Sequence, residues 1–475
     1  MTFFVGFKIL NSEDLKLLLP DAWLPSVRST FPFKENTEFV AWRQKLRNSL
    51  NFYRNEQLEF FKLFFNKSCE NFFFAWLPSL TQDVTAFHET REFHVAANLF
   101  FIILQLLQNT PLTSYIQSFS SLFVLDEPLF TFARLKGTIE HLRAYSDCDS
   151  PGASKGDYNV DDLNDDLSVK KRDESEDYRS VFQKSFPSIR YRAKLFNCAV
   201  ILFHSSLALR YKSFWKELIE LKSTQRQLSV LYAKIEGANA SNKKPNKYIL
   251  KTFSLLSEDL RELSRDIMWS EVIMFSEENV YILHNFVLSL LEILSEFSES
   301  REFAFIPEYY VDALLNSVLA LKKNYESSSK TYLPIAEHVL SFLVHHFGDA
   351  RICNPDVKEF ILQTLCKLLK SEVYLCTLEN TSSLKMILMK KFLLAFKSRF
   401  WVTVSLALSS LLNGSSPRSS DIYNNELLAR PSIVMQKCFQ SLAINEPETL
   451  NMFINNLFNL SCWVITELFV TLQKV

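Results

Sequence analysis

Glycine is nearly missing from this chain, with 7 in 475 residues, where the usual share is about 7%. Glycine supplies the positive φ angles of tight turns and of loops that cradle phosphate. Its scarcity therefore argues against a fold of many short strands and against a Gly-rich nucleotide site. Paired cysteines are missing too. The eight cysteines, Cys69, Cys148, Cys198, Cys353, Cys366, Cys376, Cys438 and Cys462, never fall in C-x-x-C spacing. That pattern lacks the paired ligands of a zinc module, and it predicts reduced, mostly buried thiols in a cytoplasmic protein.

An excess of charge of either sign is absent. The net charge is -1 and the pI about 6.7, which gives no basic surface for nucleic acid. No uninterrupted apolar run reaches the ~18 residues that span a bilayer. The richest stretch, Val95 to Leu107, carries Asn98 and Gln105 and reads as a buried helix. The N-terminus, with Lys8, Glu13 and Asp14, has no apolar core or cleavage site of a signal peptide. The expectation is a chain with no membrane span, no nucleic-acid partner and a cytoplasmic address.

Chemistry-bearing motifs are missing as well. There is no G-x-S-x-G elbow, no P-loop, no G-x-G-x-x-G and no H-E-x-x-H. The neighbouring pair His345-His346 points in two directions around a helix, so it predicts a helix-terminal role rather than a chelate. Asp161-Asp162 and Asp165-Asp166 fall in a solvated acidic stretch, where no shielded pocket shifts a carboxyl pKa. The sequence offers no catalytic, cofactor-binding or metal-ligating residue, and no cofactor is expected.

What is abundant is apolar side chain: 48% of residues, including 43 phenylalanines. These recur at spacings of three and four. Phe39, Trp42, Leu46, Leu50 and Tyr53 mark one helix. Further helices are predicted over Glu89–Leu107, Leu112–Leu125, Ile189 to about Glu236, and from about Tyr248 through Ile273. Gly237–Lys247 is predicted as a loop. Ser276 is a predicted N-cap, with Glu277 and Glu278 in the first turn, where the helix dipole favours acids. Behind it, Val280, Leu283, Val287, Leu290, Leu294 and Phe297 form one seam. Pro307 and Glu308 open a helix with Tyr310, Leu314, Val318 and Leu321 inward. Asn354-Pro355-Asp356 is a cap, a pre-set φ and an acid in order. Gly348 and Gly414 stand where a left-handed C′ residue ends a helix.

Residues 146–178 are acidic and nearly free of large apolar groups, and they read as a disordered linker. They contain Lys170-Lys171-Arg172, read as a charged tract of that loop. The expected organisation is an N-terminal helical region over 1–145, the linker, and a helical region over 179–475. The fold class is all-α, an irregular helical array of α-solenoid type without a clean repeat period. Leu450, Phe453, Leu457, Leu460, Val464 and Leu468 make an apolar face on the last helix. The sequence stops inside that pattern, which predicts a fragment or truncated form.

The segment Phe303–Leu369 carries a resemblance. Phe305-Ile306-Pro307-Glu308-Tyr309, Ala320-Leu321-Lys322 and His346-Phe347-Gly348-Asp349-Ala350-Arg351-Ile352 resemble the central helical region of the RING finger protein 123 family of E3 ubiquitin ligases. The namesake of that family is the catalytic subunit of the Kip ubiquitination-promoting complex. Trp269 to Phe275 with Glu277 and Glu278, and Phe453 to Glu467 with Trp463, look like the same family. The resemblance covers roughly residues 225–475, and residues 1–145 are merely compatible in helical character. It implies an N-terminal SPRY domain, a helical middle and a C-terminal zinc-binding RING that recruits a charged conjugating enzyme. The cysteine spacing here contains no RING, and the rarity of strand patterns argues against a SPRY domain. No ligase residue carries over, and zinc is expected only in the missing RING.

The expected role is a RING-less helical scaffold with protein partners, a ligase subunit or a substrate. The alternative is a free-standing adaptor unrelated to ubiquitin transfer. The candidate structural or interaction turn is Phe305, Pro307, Tyr309, Gly348, Asp349 and Arg351. Phe305 and Pro307 would set a helix entry, and Asp349 with Arg351 would tie a turn to the next helix.

Overall fold

A computed structural model describes residues 12–21, 24, 37–64, 93–108, 111–119, 123, 187–240, 244, 246–327, 329–396, 399–413 and 431–472. The 146–178 tract, Gly414, Cys69 and Cys148 lie outside these. Among the described residues every extended element is a helix, as the glycine scarcity and the three-four periodicity require. They form two compact units, one ending at Val287 and the other beginning at Leu288.

The first unit is built from α1 (Ser12–Leu18), α2 (Thr37–Phe64), α3 (Phe93–Leu107), α4 (Pro187–Leu202), α5 (Ala208–Ala240), α6 (Lys247–Met274) and the first half of α7 (Glu277–Phe297). α3 is apolar on all sides and is buried on all sides: Ala97, Leu99, Phe100, Phe101, Ile102 and Ile103 are fully covered. Phe100 meets Phe286 edge-on at 5.1 Å and Phe203 at 5.5 Å, and Phe286 meets Phe196 at 5.7 Å. Such offset and edge contacts are the favoured aromatic geometries. α5 and α6 pack as a hairpin on Phe214, Leu218, Leu221, Leu228, Leu260 and Ile267.

Three local expectations change. Of the helix foreseen over Leu112–Leu125, the described residues begin as a 3₁₀ turn, Leu112–Ser114, pass through a turn and are helical at 118, 119 and 123, while 120–122, 124 and 125 lie outside the described residues. Pro111 before it removes a donor, and Ser114 Oγ returns to the Pro111 carbonyl at 2.7 Å. The long helix from Ile189 is interrupted by one π turn, Phe203–Leu207, where the Ser205 and Ser206 hydroxyls both donate to the Leu202 carbonyl. The loop foreseen from Gly237 starts later, because α5 runs on to Ala240. Nothing lies within 4 Å of an added Cβ at Gly237, so one exposed glycine costs that helix about 1 kcal/mol without ending it.

The second unit holds the rest of α7, then α8 (Glu308–Ser327), α9 (Ser329–His346), α10 (Pro355–Leu368), α11 (Glu372–Asn380), α12 (Ser382–Ala395), α13 (Trp401–Asn413), α14 (Ile433–Asn445) and α15 (Pro447–Leu472). α8 packs on α10 and α10 on α13, while α9 packs on α11 and α12, and α12 on α14 and α15. Two rows of helices result, the arrangement of an α-solenoid. The foreseen inward residues are inward: Tyr310, Leu314, Val318 and Leu321 are at most 1% exposed. The caps are formed, since Asn354 Oδ1 accepts from the Asp356 amide at 2.9 Å and Ser276 Oγ from the Asn279 amide at 3.2 Å.

α7 and α15 correct the expectation drawn from uninterrupted runs. Both are long and apolar enough to cross a membrane by length and composition. Half of the most apolar stretch of α7 is buried, and none of that of α15. The apolar face foreseen on the last helix is therefore mostly uncovered.

Candidate functional site

The candidate residues come from two places in the chain, the entry to α8 and the turn between α9 and α10. At the entry, Arg301–Phe305 makes a 3₁₀ turn, which Ile306 closes with its amide on the Phe303 carbonyl at 3.3 Å. Pro307 is buried and pre-sets φ for the helix that Glu308 begins. Phe305 is half-buried, while Tyr309 is 1% exposed and its ring lies 5.3 Å from that of Tyr310.

The turn after α9 is a polar corner assembled on Asp349. His346 Nδ1 lies 3.1 Å from Asp349 Oδ2, Arg351 Nη2 donates to the same oxygen at 2.7 Å, and the Arg351 amide donates to Oδ1 at 2.9 Å. The arginine amide two residues on is what an Asp at a turn prefers to bind. Partial burial by itself pushes the Asp349 carboxyl up. The hydrogen bonds from His346 and Arg351 and the Arg351 charge outweigh it and hold the carboxyl well below the usual carboxylate range.

Aromatic packing joins the two places. Arg351 lies over the Phe303 ring at 4.5 Å, Phe303 stacks on His346 at 5.3 Å, and His346 lies 4.6 Å from Phe342. A cation over a ring face is attracted to its negative quadrupole. Arg351 Nη1 also donates to the Ser298 carbonyl, just past the end of α7. Asn354, the cap of α10, donates from Nδ2 to Glu308 Oε2 at 2.9 Å. One corner therefore touches the end of α7, the entry and start of α8, the end of α9 and the start of α10.

The expected tie from Asp349 and Arg351 to the next helix is different in detail. Their pair closes the turn on itself, and Arg351 reaches back to α7. The link between α10 and α8 is made by Asn354 and Glu308. Gly348 does not take the left-handed conformation foreseen for it. α9 ends on Lys391 of α12 instead, whose ammonium donates to the Val344 carbonyl at 2.9 Å and to that of His345 at 2.5 Å. A cation on the last carbonyls satisfies the helix end that a left-handed glycine would otherwise serve.

Sequence reading singled out Phe305, Pro307, Tyr309, Gly348, Asp349 and Arg351. It left out Phe303, Glu308 and Asn354 as members of the same corner, and it missed Lys391 altogether. His346 was legible as a helix-terminal residue. Lys391 carried no local signal, because it arrives from a helix more than forty residues on.

The Asp349 carboxylate is fully engaged. Asp349 accepts from three donors and stays ionised, so it has no proton to give near neutral pH. Elsewhere, burial and then Glu217 and Glu262 push the half-buried Asp266 up, against Arg210 and Arg265. Among the described residues no group of three or more His, Cys, Asp or Glu side chains is placed to hold a metal ion. Burial pushes the Cys366 thiol up to about 12 and raises those of Cys198 and Cys438, which makes these three poor nucleophiles.

No protein-family model matches the chain. Over 316 residues it is 28% identical to the E3 ubiquitin-protein ligase RKP of Arabidopsis thaliana, an alignment that takes in 62% of this chain and 23% of the ligase. The chain thus spans under a quarter of that relative's length. The kinship read from the motif residues is met at this level: the chain is similar to an E3 ubiquitin ligase.

Proposed function

We propose that this chain is the helical scaffold portion of a RING-type E3 ubiquitin ligase, acting in cytoplasmic protein ubiquitination without a RING of its own. The observation that carries the reading is the alignment to a named ubiquitin ligase over most of a chain whose described residues form a helical array. In this role the chain positions and performs no transfer. Solenoid-like rows expose long side surfaces suited to a ligase subunit or a substrate. The corner on Asp349 is the part that keeps such rows in register. Its donors and acceptors are spent on four helices, while the Arg351 side chain remains 43% exposed at its edge.

Reconstitution tests the reading. The purified chain, given activating enzyme, charged conjugating enzyme, ubiquitin and ATP, is expected to transfer no ubiquitin. Affinity capture of the tagged chain from cells is expected to retrieve ubiquitin-conjugation components. Transfer by the chain alone, or a capture devoid of such components, would defeat it.

A further inference from the structure

Glu217 of α5 is half satisfied. Its Oε1 accepts from Arg210 Nη1 at 2.7 Å, while its Oε2 is buried and meets no donor. A buried carboxylate oxygen without a donor destabilises the fold. Asp266 of α6 is half-buried as well and accepts no hydrogen bond. It is the opposite case from Asp349, which has three donors.

The register of the hairpin brings the two carboxyls together. Tyr211 donates to the Met274 carbonyl at 3.5 Å, and the Tyr232 ring lies 6.3 Å from that of Phe253. Both pairs set the same level along the two helices. By that level Glu217 stands opposite Met268, two residues and about 3 Å of rise from Asp266. The side agrees with the level. Arg210 and Glu217 bond to each other across two turns, so they share one side of α5. Arg210 Nη2 also donates to Ser270 Oγ, and Ser270 stands one turn from Asp266 on the same side of α6. Arg210, Glu217, Ser270 and Asp266 therefore form one cluster, with two carboxylates and a single guanidinium.

We propose that the root of the α5–α6 hairpin is a proton-operated latch, closed when the protonated carboxyl of Asp266 donates to Glu217 Oε2 and loosened when that proton leaves. The proton supplies the donor that Glu217 Oε2 lacks, and it removes one of two like charges. Its departure to water sets carboxylate against carboxylate in a half-buried place. The latch stands independently of the ligase reading.

The other charges around Asp266 are engaged elsewhere. On α6, Arg265 donates from Nε to the Leu19 carbonyl at 3.2 Å and from Nη2 to Asp21. Glu262, one turn before Asp266, lies 3.9 Å from Lys16 of α1. From α2, Arg47 donates to the carbonyls of Glu271, Val272 and Phe275. Burial and then the Glu217 charge push the Asp266 carboxyl up, with Glu262 adding to them and Arg210 and Arg265 opposing. The folded chain thus holds this proton more tightly than the unfolded chain does. The stabilisation is complete below the unfolded value of about 3.9, and it is lost as pH rises from there through the folded value.

The test uses the full chain and two variants that keep side-chain shape. Asp266→Asn exchanges the removable proton for a permanent N–H donor and locks the latch. Glu217→Gln keeps an oxygen for Arg210 and removes the like charge. Carbon-13 NMR of aspartate-labelled chain reads the titration, the Asp266 signal being the one that Asp266→Asn lacks. Its midpoint is expected above the ordinary aspartate value and is expected to fall in Glu217→Gln. Amide exchange over Leu263–Val272, corrected for intrinsic base catalysis, is expected to quicken severalfold across that midpoint in the wild type and to stay slow in Asp266→Asn. A midpoint at or below the ordinary value would overturn the proposal. So would a midpoint that Glu217→Gln leaves in place, or exchange that quickens equally in Asp266→Asn.

Discussion

α7 and α15 are nearly the same helix by composition. Their most apolar stretches have mean hydropathy 1.4 and 1.3, yet α7 is half interior and α15 is mostly uncovered. The difference lies in what the rest of the chain supplies. Phe286 of α7 enters the aromatic cluster with Phe100, Phe196 and Phe203, and Leu283, Val287, Leu290 and Leu294 are at most 1% exposed. Both ends of α7 are also held by arginines. Arg54 Nη1 donates to Asn279 Oδ1 at 2.5 Å in the first turn, and Arg351 reaches the Ser298 carbonyl past the last. Composition dictates that an apolar helix be covered. It does not dictate by what.

The largest effect expected from this contrast is in the middle of α7. Leu290 is fully buried, so Leu290→Ala removes transfer energy and leaves a cavity. A loss of about 3 kcal/mol in urea denaturation is expected. A loss below about 1 kcal/mol would mean that α7 is no more interior than α15, and the comparison would collapse.

Next in size is Arg54→Ala. Arg54 is 6% exposed and lies over the Phe101 ring at 5.2 Å. Burial lowers its pKa, opposed by the charge of Glu278. Removing it takes away a hydrogen bond from a charged donor and leaves Asn279 Oδ1 buried, which is expected to cost about 2 kcal/mol. Hydrogen exchange would place the loss at the start of α7 rather than across the chain.

At the other end of α7, Asp349→Asn keeps the shape of the corner and removes its charge. The expected cost is about 1 kcal/mol at neutral pH, because Arg351 is partly solvated. The pH dependence is the sharper readout. The Asp349 carboxyl titrates lower in the folded chain than in the unfolded one. Its contribution is therefore present in full above the unfolded value of about 3.9, and it is lost as pH falls from there toward the folded value. The gap between wild type and Asp349→Asn is expected to close on acidification from about pH 5 downward. A gap that widened in acid would place the charge elsewhere.

Much of this was legible in the sequence, because the relevant signals are local. Helix type, the caps at Ser276 and Asn354 and the inward seam of α8 follow from periods of three and four and from side chains that bind amides two or three residues on. The corner was legible in part: Asp349 and Arg351 stand two apart, so their pairing was readable, while the return of Arg351 to Ser298 was not. Lys391 was invisible, since its contact with the end of α9 depends on how helices stack, and periodicity does not encode stacking order. The misplaced loop at Gly237 and the 3₁₀ start at Leu112 have the opposite cause. There a single glycine proved too weak a stop signal, and a proline with a serine return tightened the first turn against the apolar spacing.

The smallest expected effect completes the contrast. Ile465 of α15 is 52% exposed, so in a single copy Ile465→Ala removes surface that water already reaches. At a dilution where the chain is not associated, its unfolding free energy is expected to move by less than about 0.5 kcal/mol. Both this substitution and Leu290→Ala cut an aliphatic side chain back to alanine in helices of matching hydropathy, so the ratio of their costs measures coverage with composition held constant. If the Ile465 cost grows with protein concentration, the missing cover is another copy, because mass action raises the stability of whatever state binds. If the cost is large even at high dilution, α15 is already covered within one chain, and its exposed face would have to be redrawn.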